Sequence, residues 1–151
     1  MTTAAAPTSP GALPPGSAPP YGPPISLATA KRVVAAAEAF ALAKGWRVVI
    51  AVFDSTGHLA LLHRLDQSHL ASVELAQRKA DTAVRFRRAT KAFEDIIAGG
   101  GMRILSAGPD IIALEGGVPL VENGCVIGSI GVSGMSSPED AEVAAAGIAA
   151  L

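Results

Sequence analysis

The spacing of apolar positions along the chain switches between a helical and a strand-like period, and each switch marks the edge of an element. Leu27, Val33, Val34, Ala37 and Phe40 form a helical stripe. Ser26 is placed to cap that helix and Gly45 to end it after Lys44. Trp46 to Asp54 then alternates with a period of two, carrying Val48, Ile50 and Val52 on one face and Val49, Ala51 and Phe53 on the other. A strand apolar on both faces must be covered on both, by helices or by another subunit. The turn Asp54-Ser55-Thr56-Gly57 sends His58 to Leu65 back as its partner. On this second strand Leu59, Leu61, His63 and Leu65 share one face.

A helical period returns from about Leu70 to Arg87, with Val73, Ala76, Ala80, Ala83 and Val84 as its core stripe and Glu74, Arg78, Asp81 and Arg85 opposite. A shorter helix is predicted from Thr90 to Ala98, broken by Gly99-Gly100-Gly101. Met102 to Ser106 fits strand or loop equally. Strands are predicted at Ile111–Leu114, Val118–Glu122 and Cys125–Ser133, the last two joined through the hairpin dipeptide Asn123-Gly124. Ser137, Pro138, Glu139 and Asp140 read as N-cap, proline at the first helical position and first-turn acids of a closing helix. The pattern predicts a single α+β domain over residues 26–151, a small, mainly antiparallel sheet of about five strands flanked by helices.

Composition changes the picture mainly at the N-terminus. Residues 1–25 hold eight of the chain's 11 prolines and no charged side chain. Such a stretch buries too little apolar surface to offset the entropy of ordering it, so a flexible tail is expected there. It lacks the basic and continuous apolar regions of a secretory signal, and no later run reaches 18 apolar residues, so a cytoplasmic protein without a membrane span is expected. The net charge of −1 and only six aromatics argue against nucleic-acid binding. The single cysteine, Cys125, is expected to pack rather than react.

Candidate chemistry clusters on the second strand and the long helix. Lys79 sits at the apolar flank of the helical stripe with Thr82 one turn on, where its ammonium either snorkels to water or meets an anionic ligand. Arg78, Lys79, Arg85, Arg87, Arg88 and Lys91 are countered by Asp81 alone, which suits attraction of a carboxylate-bearing small molecule. Arg64 and Asp66 flank a strand end. His63 lies on the apolar face of its strand and His69 opens the long helix, without any metal-ligating spacing. Gly128, Gly131 and Gly134 follow GxxGxxG on a hairpin strand, which is not a dinucleotide fingerprint; close packing of the C-terminal helix is the simpler reading.

Two segments resemble the GlcG/HbpS-type proteins. "HRLDQSHLASVELAQRKADTAVRFRRAT" is similar to that family's strand-end Arg-x-Asp and Lys-Ala-x-Thr-Ala helix, with Gln67-Ser68-His69 standing where the family pattern has small Gly-Ala type residues. "ALEGGVPLVENGCVIGSIGVSGMSSPEDAEVAAAGIAAL" is similar to its C-terminal hairpin, glycine strand and last helix. The resemblance implies a GlcG-like fold, close to profilin-like folds, homo-oligomers, and possible haem as cofactor. By position, Arg64, Asp66, Lys79, Thr82 and Ser133 match the family's polar residues.

Three functions follow as expectations. In a haem-binding or haem-degrading oligomer, Lys79 and neighbouring arginines such as Arg85 meet the propionates and His63 or His69 approaches the iron. In a cofactor-free isomerase, lyase or hydrolase of organic-acid or aromatic catabolism, Lys79 or Arg64 holds a carboxylate while Asp66, Glu115 or a histidine moves a proton. In a non-catalytic assembly module, the doubly apolar strand forms an interface. Chemistry is expected where Ser133 meets Lys79 and Thr82.

Overall fold

The double-faced strand β1 (Val49–Asp54) lies inside the sheet and has helices on both sides. The computed structural model describes residues 16–151. The sheet is antiparallel throughout, in the order β2-β1-β4-β3, with β2 at Leu59–Arg64, β3 at Gly117–Glu122 and β4 at Cys125–Ser133. Helices α1 (Leu27–Lys44) and α4 (Ser137–Ile148) cover the face carrying Ile50, Val52, Ile130 and Val132. Helix α2 (Leu70–Phe86) covers the face carrying Val49, Ala51, Phe53 and Val126. Both covers of β1 therefore come from its own chain.

The sheet has four strands, one fewer than the sequence pattern suggests. Ile111–Leu114 is a loop, because its backbone is satisfied from α2 instead of from a ladder: the Ile112 N–H donates to the Thr82 hydroxyl at 3.2 Å. After α3 (Thr90–Ala98), Met102–Ala107 forms a 3-10 helix with no buried residue, so nothing there rewards a strand.

Gly131 of β4 is explained by α2 and Gly128 by the Phe53 carbonyl of β1, neither by the C-terminal helix. A Cβ on Gly131 would collide with the Ala76 carbonyl and the Ala80 backbone nitrogen, and Ser129 beside it donates to the Ala80 carbonyl at 2.7 Å. Helix α4 lies on the opposite face, where its own Gly147 lets it approach Val33 and Ile130. Its N-cap is Ser136, one residue earlier than predicted, because the Glu139 carboxylate accepts from both the Ser136 N–H (3.0 Å) and its hydroxyl (2.7 Å). Those bonds hold the Glu139 carboxyl below its ordinary range.

One side chain ties the two helical layers together. Lys79 of α2 is 2% exposed, and its ammonium donates to Asp140 of α4 at 2.8 Å and to the Val132 carbonyl at 2.9 Å. The second Asp140 oxygen accepts the Met135 N–H at 2.9 Å. Burial pushes the Asp140 carboxyl up, against the pull of the Lys79 ammonium and the backbone N–H groups. The lysine runs past Gly116-Gly117. A Cβ on Gly116 would lie 2.9 Å from the ammonium nitrogen, and one on Gly117 would strike the Lys79 carbonyl. Gly116 also sits at φ 124°, a conformation that side chains disfavour.

The tail predicted over residues 1–25 falls outside the described residues up to position 15. Beyond that the chain is ordered. Val126 donates to the Pro20 carbonyl (2.8 Å), Gly22 to the Val126 carbonyl (2.9 Å) and Ile25 to the Ile127 carbonyl (2.8 Å), adding a strap to β4 past the end of β1. The Tyr21 hydroxyl caps the end of α2 through the Val84 and Arg85 carbonyls at 2.8 and 2.9 Å. Arg87 donates to the Pro19 carbonyl at 3.0 Å and lies over the Tyr21 ring. Composition mispredicted this stretch because backbone hydrogen bonding, which proline content only partly removes, is what orders it.

Two stability measurements check these contacts. Lys79→Met should cost about 3–5 kcal/mol in urea unfolding, since it strands a buried carboxylate, whereas Lys79→Met with Asp140→Asn should regain most of that loss. Gly131→Ala should cost about 1–3 kcal/mol through overpacking against α2.

Candidate functional site

At the end of the sheet where β1 begins and β2 ends, an open cleft of about 420 Å³ wraps the free edge of β2. Val49 pairs with Arg64, and the Leu65 N–H continues the ladder to the Val48 carbonyl at 3.0 Å. The next rung outward sets Arg47 beside Asp66. Glu38 and Leu42 of α1 form one wall, and Leu62, His63, Arg64 and Leu65 form the other.

The central contact is His63 Nδ1 to the Glu38 carboxylate at 2.6 Å. A carboxylate accepts only, so Nδ1 carries the proton, and Nε2 is the nitrogen whose lone pair the neutral tautomer offers. Both side chains remain partly exposed, 42% and 35%, so the imidazole is held in place yet open to the cleft. Arg47, Arg64 and Asp66 make no ion pair with one another or with any described residue. The cleft thus offers an oriented imidazole, two uncommitted guanidiniums and one uncommitted carboxylate, with leucines around them.

Three of the candidate residues, His63, Arg64 and Asp66, meet in this cleft. The others lie elsewhere. Lys79 is buried in its pair with Asp140, and Thr82 is buried as the acceptor that holds the Ile112 loop. Arg85 is exposed and pairs with Asp81 at 2.8 Å, which raises its guanidinium further above the neutral range. Glu115 is anchored through its backbone N–H to the Glu94 carboxylate at 2.7 Å. His69 precedes α2 without capping it through its side chain, and lines a shallow hollow with Ser72, Leu75, Ser133 and Met135. Ser133 is buried, its hydroxyl donating to that of Ser72 at 3.4 Å. The expected meeting of Ser133 with Lys79 and Thr82 resolves into three separate structural bonds.

Glu38 and Arg47 escaped the sequence reading. Glu38 is the one acidic residue in α1, a signal that acquires meaning only when the helix is laid against β2. Arg47 could have been found by extending the β1–β2 register two residues past its last pair, Val49–Arg64. Gln67, just beyond the cleft, adopts φ 66°, the left-handed conformation that glycine takes at less cost. Gln67→Gly should therefore raise stability by about 1 kcal/mol, read as an upward shift of the urea midpoint.

Comparison with known proteins agrees with this architecture. The family described as "Haem degrading protein HbpS-like" matches residues 25–149. Protein GlcG of Escherichia coli strain K12 is 40% identical over 109 residues, covering 72% of this chain and 81% of its own. The crystal structure of a PduOC:haem complex superposes with a TM-score of 0.79 at 30% identity, covering 85% of this chain and 95% of the other. That of a Streptomyces reticuli HbpS double mutant gives 0.79 at 30% identity over 98% of both chains. With the same fold and the same run of residues from Ile25 onward, this chain belongs to the HbpS-like family.

Proposed function

We propose that this protein binds haem in the cleft at the free edge of β2, with His63 as the iron ligand. The observation that carries the reading is the 2.6 Å contact between His63 Nδ1 and Glu38. A histidine whose Nδ1–H is fixed by a carboxylate presents Nε2 as a ligand of set tautomer and direction, the arrangement that raises imidazole basicity toward a metal. The donor set fits haem in kind. Leu42 and Leu62 supply apolar surface for a macrocycle, and one histidine would suffice to hold its iron. When bound, haem would supply a redox-active iron, while the chain's own residues bind and orient it.

Family membership supports the reading, as does a relative of the same fold solved as a haem complex. His69, the other candidate ligand, makes no side-chain capping bond to α2 that would set its tautomer. Homo-oligomerisation belongs to the same proposal, with Leu42 about half exposed in the cleft wall and Leu59 about half exposed at the other end of β2.

Titration of pure protein with haem should give a Soret shift saturating at one equivalent. His63→Ala should abolish the shift, His69→Ala should leave it intact, and Glu38→Gln should weaken binding by about 10–100-fold. A flat titration, or a spectrum indifferent to His63, would overturn the assignment.

A further inference from the structure

The cleft holds more charge than an axial histidine needs. Glu38 is committed to His63, which leaves Arg47, Arg64 and Asp66 as the uncommitted charges, two positive and one negative. The guanidiniums come from neighbouring strand ends. Since Val49 is the partner of Arg64, Arg47 stands two residues along from that rung, a diagonal position whose Cα atoms lie roughly 7–8 Å apart. Arg64 is exposed at the end of β2. Two other arginines are occupied, Arg85 paired with Asp81 and Arg87 bound to the strap, and Arg32, Arg78, Arg88 and Arg103 lie outside the cleft. Two cations a diagonal step apart, both lining one cleft and neither ion-paired to the carboxylate beside them, describe a receptor for two negative groups carried on one ligand.

We propose that Arg47 and Arg64 form a carboxylate clamp that makes this cleft selective for tetrapyrroles bearing two free carboxylates. The proposal rests on the haem reading and adds to it a ligand class and a residue, Arg47. Guanidinium binds carboxylate through paired N–H donors in a fixed plane, so a free acid is held where its ester is not. The clamp acts at the ligand's rim while His63 acts at its centre, so the two can fail independently.

The experiment uses the full chain and three probes: iron protoporphyrin IX, its dimethyl ester, and iron-free protoporphyrin IX. The diacid should bind about tenfold or more tighter than the ester. Arg47→Gln and Arg64→Gln should each weaken the diacid by about tenfold and leave the ester unchanged. Iron-free protoporphyrin should bind without regard to His63→Ala but should lose affinity in both arginine variants. Arg88→Gln, a cation outside the cleft, should change nothing. Equal binding of diacid and ester, or an equal loss in Arg88→Gln, would overturn the clamp while leaving iron ligation by His63 standing. Conversely, arginine-dependent binding of the iron-free diacid with no His63-dependent Soret shift would sustain the clamp and remove the iron ligand.

Discussion

The rest of the architecture depends on a lysine ammonium that never reaches water. Desolvating a charge of that kind costs several kcal/mol unless a partner and further hydrogen bonds surround it. Here they come from three directions: a carboxylate at the start of α4, a carbonyl at the end of β4, and a backbone path cleared by two glycines. Because Lys79 belongs to α2 and Asp140 to α4, the pair joins helices on opposite faces of the sheet. It also fixes the turn from β4 into α4, since the other oxygen of Asp140 holds the Met135 N–H. Whether such a pair adds net stability over apolar residues is a separate matter from its specificity: few other arrangements of these helices would bury that charge with a partner.

This division of labour explains where chemistry can occur. Of the interior polar groups, Lys79, Thr82, Thr90, Ser129 and Ser133 are each taken up by a specific backbone or side-chain partner, while the Ser68 hydroxyl has none. Uncommitted charge is left to the rim, and at one end of the sheet it gathers around a histidine that α1 holds through Glu38. The edge strand matters here, since its open side leaves the flank of its terminal residues accessible to a ligand.

Much of this was legible from residue order. The helix from Leu70, the hairpin through Asn123-Gly124 and the two-faced strand all follow from local periodicity, which tertiary contacts merely reinforced. The site was half legible. His63, Arg64 and Asp66 lie close in sequence and betray one another, but Glu38 and Arg47 join them only through packing and register, which are long-range facts. Lys79 shows the opposite failure. Its position on the apolar flank was correctly read as unusual, yet its partner lies 61 residues away, beyond any local pattern. The N-terminal segment failed for a third reason: composition describes what a stretch can bury by itself, not what an existing strand edge and a helix terminus can offer it.

The strap has a geometric consequence. It joins β4 beyond the C-terminal end of β1, whereas the cleft opens at the N-terminal end of that same strand. Six residues of strand separate the two, about 20 Å at the usual rise. The chain therefore enters the domain at the pole opposite its candidate site, and the Tyr21–Arg87 clasp fixes that point of entry. Whatever precedes Pro19 in the chain therefore joins the domain at the far pole, away from the mouth of the cleft.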